Sequence, residues 1–192
     1  MILQYTNRKG KRYFLHEGKT KKGNSRYTFS QSDKNALTII PDGYEIYENP
    51  NAQVFLRRIQ PKLINEKEVV LVQERLDDLI QKKYCKITFE KNTIIIYLAD
   101  QHVNRVREVI KSSPKAENEG VEAVINQIIT YSPVIQFVLS SENDRLFILK
   151  RVYYQEGERF WELAENPDSL KSLLSVARKE IDIETYYDHF QF

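Results

Sequence analysis

Three pairs of short segments with strand patterns, each pair joined by a tight turn, most restrict the folds open to this chain. Runs in which apolar and polar side chains alternate predict strands, and Asn, Gly or Pro between two such runs predicts a β-hairpin. The pairs are 11–17 with 25–30, 43–48 with 53–59, and 84–90 with 93–99. The segment 93–99 is rich in β-branched residues, which predicts a central position in its sheet. A later group, 134–140, 145–154 and 159–164, predicts a three-stranded meander. Because no βαβ alternation links these strands, the sequence predicts an α+β fold of antiparallel hairpins and a meander packed against four to five helices.

Helical periodicity occupies the segments between the strands. The longest helix is predicted over 65–82, where Asn65 supplies the N-cap and Glu68 completes a capping box. Val69 and the apolar residues that follow it at helical spacing form the stripe that this helix would bury. Further helices are predicted after Asp100, over 121–128, over 167–179 behind Asn166, and over 182–192.

The stretch 111–120 is the best candidate for a domain boundary. It is polar and charged, and it contains proline and glycine, which interrupt helices and strands. The chain is therefore interpreted either as one compact domain or as two lobes. In the second case a hairpin-rich lobe spans 1–110, and a lobe with a helix, the meander and further helices spans 121–192.

The apolar runs and the cysteine content bear on the location of the protein. The longest apolar run, 93–99, is far shorter than the roughly 20 residues of a membrane span. The first ten residues lack the apolar stretch of a secretory signal. Cys85 is the only cysteine, so no disulfide can form within the chain. These features predict a cytoplasmic protein without a membrane partner.

Positive charge is concentrated in the first thirty residues. They contain eight Lys and Arg residues against one acid, Glu17, which gives +7. The whole chain carries +2, so the remainder carries −5. An uneven distribution of this kind is typical of a protein with a polyanionic partner.

The first hairpin places these charges among aromatic side chains. Alternation predicts an apolar face with Tyr13, Leu15, Tyr27 and Phe29, and an opposite face that is basic. Lys and Arg neutralise phosphates, and exposed aromatic rings stack on bases. The predicted nucleic-acid-binding residues are Arg12, Phe14, His16, Lys19, Lys21, Lys22 and Arg26. The alternative is that an edge hairpin carries Lys and Arg to stay in solution and to block edge pairing, and the moderate sequence pI of about 8.5 favours it.

A second hypothesis assigns the chain to protein interaction. The hairpin 43–59 is aromatic on both faces, and further aromatic side chains flank the last turn of the meander. Cross-strand packing within the sheet explains the aromatic cluster of the meander most simply, and a partner-binding surface is the alternative. The predicted partner-binding residues are Tyr44, Tyr47, Arg57, Tyr153 and Trp161. They would bind a protein partner or form a homodimer, in an association that salt affects little.

The sequence lacks the motifs of the common enzyme classes. It has six glycines, none of them spaced as in a P-loop or a dinucleotide-binding turn. No Gly-x-Ser-x-Gly occurs, and one cysteine with three scattered histidines gives no zinc-ligand spacing. The sequence therefore predicts no catalytic residue, no metal and no cofactor. It leaves open a hydrolase or nuclease whose carboxylates converge only in space.

Two segments in the first third of the chain resemble a block shared by a family of uncharacterised bacterial proteins. The segments read YFLHEGKTK over 13–21 and GYEIYENPNAQVFLRR over 43–58. The resemblance implies a bacterial origin and a recurrent module. It carries over no activity, cofactor or site residue.

Overall fold

The computed structural model describes residues 2–155 and 158–181, without the side chains of 153–155 and 159. In this part of the chain, five helices and ten strands in three antiparallel sheets form a mixed α+β fold, which confirms the predicted fold class. The chain divides into two compact units between residues 60 and 61. The stretch 111–120, interpreted above as a boundary, lies inside the second unit, where Pro114–Glu119 is helical behind its N-cap Ser113.

The first unit is built from strands in its described part. They are β1 (Gln4–Thr6), β2 (Arg12–Lys19), β3 (Ser25–Ser30), β4 (Tyr44–Glu48) and β5 (Val54–Arg58). These strands form a three-stranded sheet in the order β1-β2-β3 and a two-stranded sheet of β4 and β5. Both predicted hairpins are confirmed, and β1 adds a third strand that the sequence did not predict.

The register of β2 and β3 gives the hairpin two faces of different character. Leu15 lies opposite Phe29, and His16 lies opposite Thr28. Since neighbouring residues of a strand point to opposite faces, these two pairs mark opposite faces of the sheet. Leu15 is fully buried, whereas Thr28 is exposed. The predicted division into an apolar and a polar face is therefore confirmed.

The β4–β5 hairpin packs against the apolar face of the three-stranded sheet. The ring of Tyr44 meets that of Tyr27 edge-on, with 5.3 Å between ring centroids. Tyr5 on β1 donates a hydrogen bond from its hydroxyl to Glu48 Oε2 at 2.9 Å. An edge-on aromatic pair contributes about 1 kcal/mol beyond the area that it buries. Ring packing and polar contacts thus hold the two sheets of this unit together.

Asn7 connects the β1–β2 turn to the β4–β5 turn. Its side chain is buried, and Nδ2 donates to the carbonyl of Ala52 at 2.7 Å. Oδ1 accepts hydrogen bonds from the backbone amides of Lys9 at 3.1 Å and Lys11 at 2.8 Å. One amide side chain therefore satisfies three backbone groups of two separate turns.

We expect Asn7→Ala to lower the free energy of unfolding by about 2 kcal/mol, because it leaves backbone groups without partners in a buried region. Urea denaturation of the full chain would measure this loss. Asn24, an exposed residue of the β2–β3 turn, is the matched control, and Asn24→Ala should change the free energy by less than about 0.5 kcal/mol. Equal urea midpoints for the two variants would show that the Asn7 side chain does not connect the two turns.

The second unit combines one sheet with five helices in its described part. Its elements are α1 (Glu66–Gln81), β6 (Cys85–Glu90), β7 (Thr93–Ala99), α2 (Val103–Ile110), α3 (Pro114–Glu119), α4 (Val121–Ile128), β8 (Tyr131–Ser141), β9 (Leu146–Gln155), β10 (Glu158–Ser169) and α5 (Leu170–Glu180). The strands pair in the order β10-β9-β8-β7-β6, so the third predicted hairpin and the predicted meander belong to one sheet. None of the described helices is long and apolar enough to cross a membrane.

One face of this sheet and the helices enclose the main core. The strands contribute Ile94, Ile96, Leu98, Ile135, Phe137, Leu139, Phe147 and Leu149. On each strand these buried residues alternate with less buried neighbours, a pattern typical of a sheet that packs helices on one face. The helices contribute Val72, Leu76, Leu79, Leu173 and Leu174.

Helix α1 begins at the capping box that the sequence predicts. Asn65 Oδ1 accepts a hydrogen bond from the Glu68 amide at 3.0 Å, and Glu68 Oε2 accepts one from the Asn65 amide at 2.9 Å. Glu68 is buried, and its carboxylate is paired with Arg145, whose Nε lies 2.9 Å from Oε1. A buried carboxylate requires a partner of this kind. The pair therefore joins the start of α1 to the start of β9.

The cap of α2 differs from the prediction. His102, rather than Asp100, is the N-cap, and its Nδ1 accepts a hydrogen bond from the Arg105 amide at 3.4 Å. Asp100 instead accepts a hydrogen bond from the hydroxyl of Thr130 at 2.6 Å. The Asp100 carboxylate is thus bonded to Thr130, just before β8, and does not cap α2.

Helix α5 begins three residues later than predicted. Pro167 belongs to β10, because that strand continues to pair with β9 as far as Ser169. Ser169 then caps the helix, its hydroxyl accepting a hydrogen bond from the Ser172 amide at 3.3 Å. The buried stripe of α5, which includes Leu173 and Leu174, is as predicted. The predicted helix over 182–192 lies outside the described residues.

Candidate nucleic-acid interface

The two units carry net charges of opposite sign. Residues 1–60 contain 11 Lys and Arg against 5 Asp and Glu, a net charge of +6. Residues 61–192 contain 18 against 22, a net charge of −4. The excess positive charge therefore belongs to the small β-sheet unit, whose field attracts anions.

Lys21 and Lys22 occupy the tip of the β2–β3 turn. The Thr20 amide donates to the Asn24 carbonyl at 2.8 Å, and the Gly23 amide donates to the Thr20 carbonyl at 2.9 Å. Gly23 has a φ of 80°, the left-handed conformation that closes a three-residue hairpin loop. Both lysines are exposed, so the turn presents two ammonium groups to solvent.

We expect Gly23→Ala to lower the free energy of unfolding by about 1 kcal/mol, the usual cost of a left-handed conformation for an L-residue with a side chain. A Cβ at Gly23 would meet no atom within 4 Å, so the loss comes from the backbone alone. Gly18 on β2 is the matched control, since a Cβ there would lie at an ordinary 3.8 Å from the Arg26 carbonyl. Thermal denaturation would compare the variants, and a Gly23→Ala variant as stable as Gly18→Ala would contradict this turn geometry.

A second basic cluster lies in the β1–β2 turn, which Asn7 connects to the β4–β5 turn. Arg8, Lys9 and Lys11 belong to this turn, and Arg8 Nε lies 3.2 Å from Glu48 Oε1. Burial lowers the pKa of Lys9, and the nearby charges of Lys11 and Arg8 lower it further. None of the predicted site residues lies in this turn, because β1 is too short to be recognised from local sequence. Only the charge count signalled this cluster.

The two basic clusters lie at opposite ends of β2. This strand runs from Arg12 to Lys19, and a rise of about 3.3 Å per residue separates its ends by about 23 Å. Duplex DNA rises 3.4 Å per base pair, so this distance corresponds to about seven base pairs. A polyanion that follows the hairpin can therefore contact both clusters.

The cations of the β2–β3 hairpin have no acidic partner. Within the described residues, no carboxylate oxygen lies within 4.0 Å of their nitrogens. These cations are Arg12, Lys19, Lys21, Lys22 and Arg26. The acid of the hairpin, Glu17, instead accepts a hydrogen bond from the Ser25 hydroxyl at 2.6 Å. Five positive charges are thus available to an external anion.

Phe14 is the predicted stacking residue that lines an open depression of the surface. It is half-buried on the polar face of the hairpin and lines a shallow depression. The residues that line the depression are Gly10, Arg12, Phe14, Gln31 and Asp33. Because Asp33 disfavours a phosphate at this place, the depression suits a base, with the phosphates held by the neighbouring cations.

His16, the other predicted stacking residue, is held by the end of β3. Its Nε2 lies 2.9 Å from the Ser30 hydroxyl and 2.9 Å from the Ser32 carbonyl. These contacts fix the orientation of the ring. The ring of His16 is therefore less able than that of Phe14 to reorient towards a ligand.

The predicted partner-binding residues are distributed over separate surfaces. Tyr44 faces Tyr27 inside the first unit, whereas Tyr47 and Arg57 lie on the outer face of the β4–β5 hairpin. The guanidinium of Arg57 lies 4.0 Å from the centroid of the Tyr47 ring, and its Nε lies 2.8 Å from Glu45 Oε1. Trp161 pairs in register with Val152 in the second unit. The side chain of Tyr153 lies outside the described part of the chain.

The described residues form no metal-binding cluster, and the thiol of Cys85 is unreactive. No three His, Cys, Asp or Glu side chains of the described residues lie close enough together to hold a metal ion. Cys85 is buried, and burial raises the pKa of its thiol to about 12. The thiol is therefore protonated at neutral pH, a poor nucleophile, and it packs as an apolar side chain in the core.

In comparisons with known proteins, no family model matches the chain, and no curated protein or solved structure shows significant similarity to it. The resemblance of 13–21 and 43–58 to bacterial proteins stays a prediction. A functional assignment therefore depends on the geometry and charge of the chain's own residues.

Proposed function

We propose that this protein binds nucleic acid through the β2–β3 hairpin. The observation that carries the proposal is the set of five cations without an acidic partner, on a unit of net charge +6. Cations arranged in this way bind phosphates and release the counterions of the nucleic acid, which gives affinity without dependence on base sequence. The proposal includes a cytoplasmic location, where nucleic acid is accessible and the Cys85 thiol stays reduced.

Edge protection accounts for only some of the charges on this hairpin. Lysines protect a sheet when they lie on an edge strand with unpaired backbone groups. β1 pairs with β2 only from Arg12 to Phe14, so Arg12 lies between two strands and protects no free edge, whereas Lys19 lies beyond this pairing and Arg26 lies on the edge strand β3. Lys21 and Lys22 lie in a turn, which offers no strand for pairing. Binding of a polyanion accounts for all five positions with one cause.

Chemical-shift mapping tests where nucleic acid binds. Short duplex and single-stranded oligonucleotides would be added in separate titrations to the isotope-labelled full chain. We expect amide shifts over 19–26, and also over 8–12 if the ligand follows β2 to its other end. A larger response to the single strand, centred on Phe14, would identify base stacking as part of the recognition. Shifts restricted to 61–192 would contradict the proposal.

The outer face of the β4–β5 hairpin supports a second candidate function, which is protein binding. Phe55 is 46% exposed and Ile59 is 61% exposed. Alternation along β5 places both on the face that carries Arg57 and Tyr47. Exposed aromatic residues next to Arg are enriched at protein interfaces.

Sedimentation over a range of protein concentrations tests a homodimer of this kind. We expect wild-type chains to associate at high concentration and a Phe55→Asp variant to remain monomeric, because a carboxylate would be buried in the interface. Salt should have little effect on the association. A wild-type protein that is monomeric throughout, or an equally associating variant, would exclude a homodimer through this face.

A further inference from the structure

A half-enclosed cavity lies in the second unit, beside the start of α1 and the β6–β7 turn. It has a volume of about 250 Å³, and its lining residues are Lys62, Ile64, Val69, Phe89 and Lys91. The Leu63 amide donates to the Lys91 carbonyl at 2.9 Å, which holds the two lysine-bearing segments next to each other. The cavity is therefore built by paired backbone segments of the fold.

The lining of this cavity is apolar at its base and cationic at its rim. Ile64 is 8% exposed, and Val69 and Phe89 are half-buried against the core. Lys62 and Lys91 are exposed, and neither ammonium has a hydrogen bond or an ion pair within the described residues. No lining residue is acidic. The cavity thus combines an apolar surface with uncompensated positive charge.

The acid nearest in sequence to Val69 is already neutralised. Glu68 binds Arg145, with 2.9 Å between Oε1 and Nε, and its other oxygen accepts from the Asn65 amide. Arg145 is further fixed by a hydrogen bond to the Leu63 carbonyl at 3.0 Å. Because this carboxylate is committed to a buried pair, it does not cancel the charge of the two lysines.

We infer that the cavity binds a small carboxylate that bears a branched or aromatic apolar group. The apolar group packs on Ile64, Val69 and Phe89, and the carboxylate lies between the ammonium groups of Lys62 and Lys91. A volume of about 250 Å³ limits the ligand to a small molecule or to one end of a longer one. A free branched-chain carboxylic acid and the C-terminal residue of a peptide share this chemistry.

Titration with 3-methylbutanoate, monitored by the methyl resonances of Ile64 and Val69, tests this inference on the full chain. We expect saturable shifts of both residues, and weaker binding by at least about threefold for 3-methylbutanamide, which has the same shape without the charge. Lys62→Gln and Lys91→Gln should each weaken binding of the acid by about threefold and leave the amide unaffected. Both lysines are exposed, so neither change threatens folding.

Two peptide probes distinguish the sources of the ligand. A short peptide that ends in a free leucine carboxylate would be compared with its amidated form. Tighter binding of the free peptide than of 3-methylbutanoate identifies a peptide terminus, and binding of the small acid alone identifies a free metabolite. The inference is wrong if neither acid shifts the two methyl-bearing residues, or if acid and amide bind equally in the wild type and in both lysine variants.

Discussion

Replacing Lys19, Lys21, Lys22 and Arg26 together by Glu is expected to lower the affinity for nucleic acid by about 100-fold or more at about 50 mM salt. The variant removes four of the five unpaired cations and places four carboxylates where phosphates would bind. The net charge of residues 1–60 changes from +6 to −2. Fluorescence anisotropy of labelled duplex and single-stranded DNA and RNA would measure the loss.

A matched control separates the effect of the hairpin from that of total charge. Lys67, Arg75, Arg105 and Lys171 are exposed helical residues of the second unit, and the described residues offer them no ion pair. Changing all four to Glu alters the charge of the chain by the same amount. We expect this control to lose less than about tenfold in affinity, because it keeps all five cations of the hairpin and changes only the net charge, whose long-range effect salt screens. An equal loss in both variants would show that binding follows net charge alone.

Phe137→Ala is expected to lower the free energy of unfolding by about 4 kcal/mol. Phe137 is fully buried on β8, the middle strand of the five-stranded sheet. Its cross-strand neighbours are Ile94 on β7 and Leu149 on β9, both also fully buried. Truncation of the ring therefore leaves a cavity between three paired strands, which the surrounding backbone cannot close.

Phe160→Ala provides the comparison for Phe137→Ala. Phe160 lies on the edge strand β10 and is 39% exposed, so its truncation should cost about 1 kcal/mol. Urea denaturation followed by circular dichroism would measure both variants. Equal losses would contradict the assignment of β8 to the centre of the core.

Local patterns predicted the elements of this fold well where the signal lay within a few residues. The capping box of Asn65 and Glu68 fixed the start of α1, because both hydrogen bonds form within one turn of helix. The hairpins and their faces followed from alternation and turn chemistry. The β-branched strand β7 was correctly predicted as an interior strand, since such side chains suit a sheet position with neighbours on both sides.

Features that depend on contacts distant in sequence were missed. β1 is three residues long, and only its pairing with β2 defines it. β10 continues past Pro167 because it pairs with β9, and that pairing overrides the local helix signal of Asn166-Pro167. The stretch 111–120 reads as a linker by composition, yet Ser113 and Pro114 start a helix there.

The same distinction between local and distant signals applies to the candidate site. The cations of the β2–β3 hairpin were evident from the charge distribution and the turn. The sequence did not show that these cations lack acidic partners, because this depends on the bonds of Glu17 to Ser25 and of Glu48 to Arg8. The cavity between Lys62 and Lys91 joins segments almost thirty residues apart, so no local pattern could have indicated it.

The salt dependence of nucleic-acid binding by the wild-type protein tests the central claim most directly. Five phosphate contacts predict a slope near −4.5 when the logarithm of the affinity for duplex DNA is plotted against the logarithm of the salt concentration. The affinity would then fall about 500-fold between about 50 and about 200 mM salt. Such a slope, lost in the variant with four Glu residues, is the result that we predict. An affinity that does not change over this range, or that changes equally in the variant, would contradict nucleic-acid binding by the hairpin.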